Sequence, residues 1–359
     1  MLFYIFKRLL LITPTLLGIM LINFVIVQFL PGGPVEQMIA SLQSHSLGQG
    51  VESRISAGDE QLSLQADNNN RHLDPEIIKE IEKIYELDKP ATQRFFSMIV
   101  RYARFDFGNS FFMDRSVVEI ILEKMPVSIS LGLWTTILVY LISIPLGIYK
   151  AVKNGSRFDA ASSTIIVTGY AIPNFLFAVF LIIIFASGEF LNWFPLRGLV
   201  SDDFSSLSPF KKVLDYFHHL ALPLISMVIG GFASLTLLTK NCFLDEIHKQ
   251  YVFTALSKGL SSREMLLKHV FRNAMLLIIS SFPSALVSIL FTSSLLIEVI
   301  FSLDGLGRLG FDAALKHDYP IVFGTLFFFS LLGLLLRLIS DLTYVMIDPR
   351  IDFETNKQT

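Results

Sequence analysis

The chain has 359 residues, 52% of them hydrophobic and only 17% charged, with a formal net charge of −2. A soluble domain carries about a quarter charged residues, so this composition and a mean hydropathy of +0.58 exclude an ordinary water-soluble fold. The charge balance gives no support to a nucleic-acid partner, and a single cysteine, Cys242, excludes a disulfide framework within one chain.

Six apolar stretches reach or approach the ~20 residues that a bilayer-spanning helix needs. They run over Leu9–Leu30, Val127–Tyr149, Ala160–Ser187, Leu220–Thr239, Asn273–Ile297 and Ile321–Ile347. The first five contain no Asp, Glu, Lys or Arg, whereas Arg337 and Asp341 interrupt the sixth. Lys7 and Arg8 ahead of the first stretch also fit a signal peptide, but the run is too long for an h-region and lacks a small-residue cleavage site. It is read as a retained helix, residues 1–30.

The segment 31–126 divides in two. Residues 43–71 are rich in Ser, Gly, Gln and Asn and read as a flexible insertion. The part from 74 to 105 reads as helical, because Asp74-Pro75-Glu76 is a helix start with Asp as cap and Pro in the first turn. Ile77, Ile78, Ile81, Ile84 and Tyr85 form an apolar face on that helix, and a second helix is expected from Pro90 through Arg104. The remainder reads as a five-helix core, 127–347, and a short tail, 348–359.

Orientation comes from the short loops. Lys7 and Arg8, then Lys150, Lys153 and Arg157, then Lys240, Lys249, Lys258, Arg263, Lys268 and Arg272 mark one side. Residues 302–320 on the other side carry only Arg308 and Lys316 beside Asp304, Asp312 and Asp318. Both termini and the loop 240–272 are therefore read as cytoplasmic, and 31–126 as external. Pro14, Pro145, Pro173, Pro223 and Pro283 fall inside five of the six stretches, where each removes a backbone hydrogen bond and tends to kink its helix. Five together fit helices that rearrange around a path, although proline is also ordinary in membrane helices.

The cytoplasmic loop holds structure of its own. Leu244, Ile247, Tyr251 and Ala255 recur at helical spacing, Gly259 closes the helix, and Ser261 with Glu264 forms a capping box that starts another. A helix, a glycine corner and a second helix make a docking handle for a soluble partner.

Other chemistry is missing. There is no phosphate-cradling Gly-rich loop, no His-Glu-x-x-His, and the adjacent His218 and His219 lack helical ligand spacing, so they are read as interface residues rather than a metal pair. Glu298, at the end of the fifth stretch, and Arg337 with Asp341 on the sixth are costly in a membrane and face either a cavity or each other. The i, i+4 spacing lets Arg337 and Asp341 pair. A packing pair is preferred over substrate contact there, while a path-lining role for Glu298 stays open beside a structural one.

Ordered motifs then bring in a family. Leu30-Pro31-Gly32-Gly33-Pro34, Leu87-Asp88-Lys89-Pro90, Phe105-Asp106-Phe107-Gly108-Asn109-Ser110, His219-Leu220-Ala221-Leu222-Pro223, Glu298-Val299-Ile300-Phe301 and Asp348-Pro349-Arg350-Ile351 cover nearly the whole chain. In this order and spacing the chain resembles permease subunits of bacterial peptide-type ABC importers (the dipeptide, oligopeptide and nickel group), most closely the microcin C-type branch. Thr254, Ala255 and Gly259 fit the first half of that family's cytoplasmic loop motif, with Phe253 in the position of its Glu, whereas His269-Val270-Phe271-Arg272 departs from the Ile-x-Leu-Pro of the second half.

The resemblance implies an all-α integral membrane protein of six transmembrane helices with a periplasmic insertion, the type I ABC importer permease fold, in the bacterial inner membrane. It implies a translocation subunit rather than an enzyme. Its partners would be a second, different permease, cytoplasmic ABC ATPases that bind ATP and Mg²⁺, and a periplasmic peptide-binding protein, with membrane lipid around it and no cofactor in this chain. Thr254, Ala255, Gly259, Ser261 and Glu264 are the implied ATPase-coupling residues, and Glu298, Arg337 and Asp341 the candidate path residues. Another small solute, such as a dipeptide or nickel chelate, is the alternative cargo. A proton-driven peptide carrier is disfavoured, since the first five stretches are uncharged and no inverted repeat is visible.

Overall fold

The computed structural model describes residues 2–29, 89–288 and 294–347. The flexible insertion 43–71, the helix start at Asp74 and the tail 348–359 lie outside the described residues.

Every described element is helical. The order is α1 (Leu2–Phe29), α2 (Ala91–Ala103), α3 (Val117–Val152), α4 (Arg157–Tyr170), α5 (Asn174–Phe185), α6 (Pro209–Ile247), α7 (Gln250–Ser257), α8 (Ser262–Met265), α9 (Phe271–Ser288), α10 (Ser294–Ile300), α11 (Leu306–Lys316) and α12 (Tyr319–Ile347). A π-helical turn over Leu266–Val270 joins α8 to α9. Among the described residues five helices are long and apolar enough to cross a membrane, and a sixth crossing exists if α4 and α5 count as one span.

In that sixth element the kink expected from Pro173 within Ala160–Ser187 is a full break. The chain bends by 91° between α4 and α5. Pro173 is the cause: it stands at the cap of α5 with φ −58° and ψ 132°, and it holds the preceding residue out of the helical region. Pro14, Pro145, Pro223 and Pro283, by contrast, are carried inside continuous helices. The expected helix after Pro90 is present as α2, with Arg104 as its C-cap.

The chain forms two compact units, residues 1–123 with 310–331, and residues 124–309 with 332–359. In the first, Tyr102, Phe107 and Phe327 pack as an aromatic cluster with centroids 4.7 to 5.7 Å apart. The Phe105–Ser110 motif is a turn anchored to the start of α12, where Ser110 Oγ donates to Asp318 Oδ2 at 2.5 Å. Burial pushes the Asp318 carboxyl above its ordinary range, against the pull of that hydrogen bond.

The second unit holds two buried clusters. One gathers Leu131, Leu181, Leu220, Leu224, Ile297 and Phe301, and the other Val139, Phe243, Val252, Met265, Val270 and Ile278. Small residues let α3 and α6 approach closely, as membrane helices do where van der Waals contact replaces the hydrophobic effect. A side chain on Gly231 would meet Val139 at 3.1 Å. Ser143 Oγ donates to the Phe232 carbonyl at 3.1 Å, and Tyr140 Oη and Ser281 Oγ are 3.0 Å apart.

Candidate functional site: the helical corner at Gly259

Helix α6 ends at Ile247, and His248 and Lys249 break the helical path before α7 begins. The apolar face expected on one helix from Leu244 to Ala255 is thus split. Val252 (1% exposed) and Ala255 (9%) carry the burial, while Leu244, Ile247 and Tyr251 are half-buried. Polar contacts hold the break: Tyr251 Oη donates to Glu246 Oε2 at 2.7 Å, Asn273 Nδ2 donates to Tyr251 Oη at 3.3 Å, and Lys249 pairs with Glu246. Burial, then the Glu246 hydrogen bond, push the Tyr251 phenol up. Glu246 and Asn273 escape sequence reasoning because nothing in their spacing announces a contact 27 residues apart (246 to 273).

The corner itself follows local rules. Gly259 sits at φ +90°, its N–H donates to the Leu256 carbonyl (2.9 Å), and the Leu260 N–H donates to the Ala255 carbonyl (3.3 Å). This is a Schellman closure, for which glycine is the residue of least strain. Ser261 and Glu264 then form the expected capping box: the Glu264 N–H donates to Ser261 Oγ at 3.3 Å, and the Ser261 N–H to Glu264 Oε2 at 3.4 Å. The His269–Arg272 departure from the family motif falls where the π-helical turn runs into α9.

All five residues expected to couple to a partner lie in this corner, but not on one surface. Thr254, Gly259, Ser261 and Glu264 are exposed; Ala255 is turned into the chain's own core, packed with Val252, Met265 and Val270. Phe253 (58% exposed) and Leu256 (37%) take the outward face. The periodicity through Tyr251 and Ala255 singles out neither Val252 as buried nor Phe253 as exposed.

The three expected path residues differ in burial. Glu298 is fully buried. Its Oε1 accepts from Ser128 Oγ at 2.7 Å and its Oε2 from the Arg308 N–H at 2.9 Å, while Ser128 Oγ accepts from the Leu306 N–H at 2.8 Å. The carboxylate and hydroxyl thus satisfy first-turn donors of α11 and complement its positive end. Gly307 makes room, since a side chain there would lie 2.9 Å from Glu298 Oε2. On α12, Arg337 is exposed and Asp341 half-buried. His218 Nε2 lies 2.7 Å from the Trp193 carbonyl and His219 Nδ1 lies 2.9 Å from the Asp215 carbonyl, so each ring is held by backbone.

With this geometry in view, comparison with known proteins is decisive. Residues 143–353 match the family described as the binding-protein-dependent transport system inner membrane component. The chain belongs to that family. It is 55% identical to the peptidoglycan transport system permease protein YejB of Agrobacterium fabrum, over 98% of each chain. It is 54% identical to the inner membrane ABC transporter permease protein YejB of Escherichia coli O157:H7, over 98% of this chain and 99% of that one. Against the oligopeptide transport system permease protein AppB of Bacillus subtilis the identity is 31%, over 98% and 99%. The chain is therefore a multi-pass membrane permease, the translocating part of an ABC importer rather than its ATP-hydrolysing part, and it holds the Gly259 corner inside the matched region.

Proposed function

We propose that this permease carries oligopeptides or modified peptides across the bacterial inner membrane into the cytoplasm, driven by ATP hydrolysed on partner subunits. The relatives named for oligopeptide and peptidoglycan transport support the cargo class. The excess of Lys and Arg in 240–272 supports a cytoplasmic corner and cytoplasmic termini. A second, different permease completes the path, a periplasmic binding protein delivers the peptide, and ATP and Mg²⁺ bind the ATPases, with no cofactor on this chain.

The observation that carries the reading is the division of the corner. Val252 and Ala255 anchor α7 from within, which leaves Phe253, Thr254 and Leu256 with the Gly259 turn as an outward surface for an ATPase. Ser261 and Glu264 fix the next helix at the edge of that surface. Force applied to α7 then passes to α6 as rigid-body movement.

Purifying the intact complex in mild detergent tests this. Wild type is expected to retain an ATPase and a second permease, and Phe253→Asp to lose the ATPase while keeping the second permease. A wild-type chain that purifies alone refutes the proposal.

A further inference from the structure

Three consecutive apolar stretches each meet one charged residue at the same end: Lys150 follows Tyr149, Asp159 precedes Ala160, and Lys240 follows Thr239. Basic residues at such places set orientation, and they ordinarily stay solvated. Here all three side chains are withdrawn from solvent, Lys150 at 0%, Asp159 at 8% and Lys240 at 15% exposure.

They converge on one carboxylate. Asp159 Oδ1 lies 3.0 Å from Lys150 Nζ, and Lys240 Nζ donates to Asp159 Oδ2 at 2.8 Å and Oδ1 at 2.9 Å. The Gly155 N–H adds a further donor at 3.2 Å. The two cations are held differently. Lys150 Nζ also donates to the Asp159 carbonyl (2.9 Å), Ser162 Oγ (2.7 Å) and Ser163 Oγ (2.8 Å), so it keeps neutral acceptors without the carboxylate. Among the described residues Lys240 is held by the Asp159 carboxylate alone.

The cluster sits where three elements meet: the last turn of α3, the first turn of α4, and α6 shortly before its end. Three residues past Lys240, the fully buried Phe243 packs with Val252, Ala255 and Val270, which fastens the end of α6 to the Gly259 corner. Beside the cluster, α3 and α6 touch through backbone, since a side chain on Gly147 would lie 2.8 Å from the Thr236 carbonyl. Buried ion pairs are a weak source of stability, because apolar packing of the same volume does as well. Their geometry, however, is stiff and directional, and this one spans three helices that apolar contacts alone would let slide.

We propose that Asp159 is a positioning residue: through Lys240 it makes the Gly259 corner, α3 and the bent α4–α5 element move as one body when the ATPases close. This rests on the reading of the corner as the ATPase site, and the two fail separately. A wild-type complex without a bound ATPase refutes that reading, whatever Asp159 does.

The test uses proteoliposomes of the whole importer and a radiolabelled casein digest as mixed peptide probe, comparing wild type with Asp159→Asn, Lys240→Met and Lys240→Arg. ATPase retention on each variant reports assembly, and Lys240→Met carries the test where Asp159→Asn fails to assemble. Expected is continued ATP hydrolysis by Asp159→Asn and Lys240→Met with uptake per ATP down roughly tenfold, a size usual for coupling between sites. Lys240→Arg, which keeps the charge, should recover most of it. Uptake and hydrolysis falling in proportion, or an unchanged ratio, overturns the proposal. A second readout needs no substrate: spin labels at exposed positions Ile165 and Lys258, with Cys242 replaced by Ser, should keep their distance on vanadate trapping in wild type and change it in Asp159→Asn. A wild-type distance that shifts on trapping also overturns it.

Discussion

At Ser261 a hydroxyl and the Glu264 carboxylate close the start of α8 within four residues of chain, and both stay exposed. At Leu306 a hydroxyl and a carboxylate do the same for α11, but they come from Ser128 and Glu298, and Glu298 is fully buried. The chemistry is shared and the energetics are opposite. Water replaces a lost partner at the first start, so its cap is a local adjustment. At the second, any lost partner leaves a buried donor or charge unsatisfied, so the cap is a tertiary joint between α3, α10 and α11.

Glu298→Ala is the strongest way to break this comparison. It strips Ser128 and the Arg308 N–H of their acceptor and should cost about 3 kcal/mol, read as a lower unfolding temperature of the purified complex. Uptake should fall equally for peptides with free and blocked amines, because a fully buried carboxylate does not meet cargo. A selective loss with free-amine peptides, at unchanged stability, would return Glu298 to the path.

Gly307→Ala probes the same joint from the other side. The added methyl meets the Glu298 carboxylate and the Leu295 backbone, 2.8 Å from its Cα, and should cost about 2 kcal/mol by the same thermal assay. At the exposed corner, Gly259→Val forces a β-branched residue to φ +90°, costing about 1–2 kcal/mol of strain. Its main effect should be on uptake per ATP, and Gly259→Asn, which tolerates that region, should retain more. Ser261→Ala should cost about 1 kcal/mol and reduce uptake only slightly. Phe253→Ser should leave stability within about 0.5 kcal/mol and weaken ATPase retention, so a large thermal effect there would contradict its outward placement.

The two starts also differ in how much of each the sequence discloses. Ser261 and Glu264 are legible because a capping box is a short-range pattern, and Gly259 because a left-handed residue after an amphipathic turn is one too. Glu298 was legible only as an expensive charge, with its use left open. Its partner Ser128 lies 170 residues away (128 to 298), and a lone serine in an apolar helix carries no signal. The Arg337–Asp341 spacing likewise says nothing of burial: one side chain is exposed and the other half-covered on the same helix.

By itself the sequence determined the membrane class, the number of apolar stretches, the α2 helix and the Gly259 corner, since hydrophobic length, helical periodicity and capping are set within one or two turns of chain. It placed Pro173 in a stretch long enough to span and could not say that the helix breaks there by 91°. Only the tertiary structure decided which charges are paired. Lys150 and Lys240 read as separate loop-edge residues, and Asp159 carries no reading at all, until α3, α4 and α6 bring both amines within 3.0 Å of its carboxylate. Burial is a property of packing between distant segments, and in an apolar chain every face looks alike until its neighbours are in place.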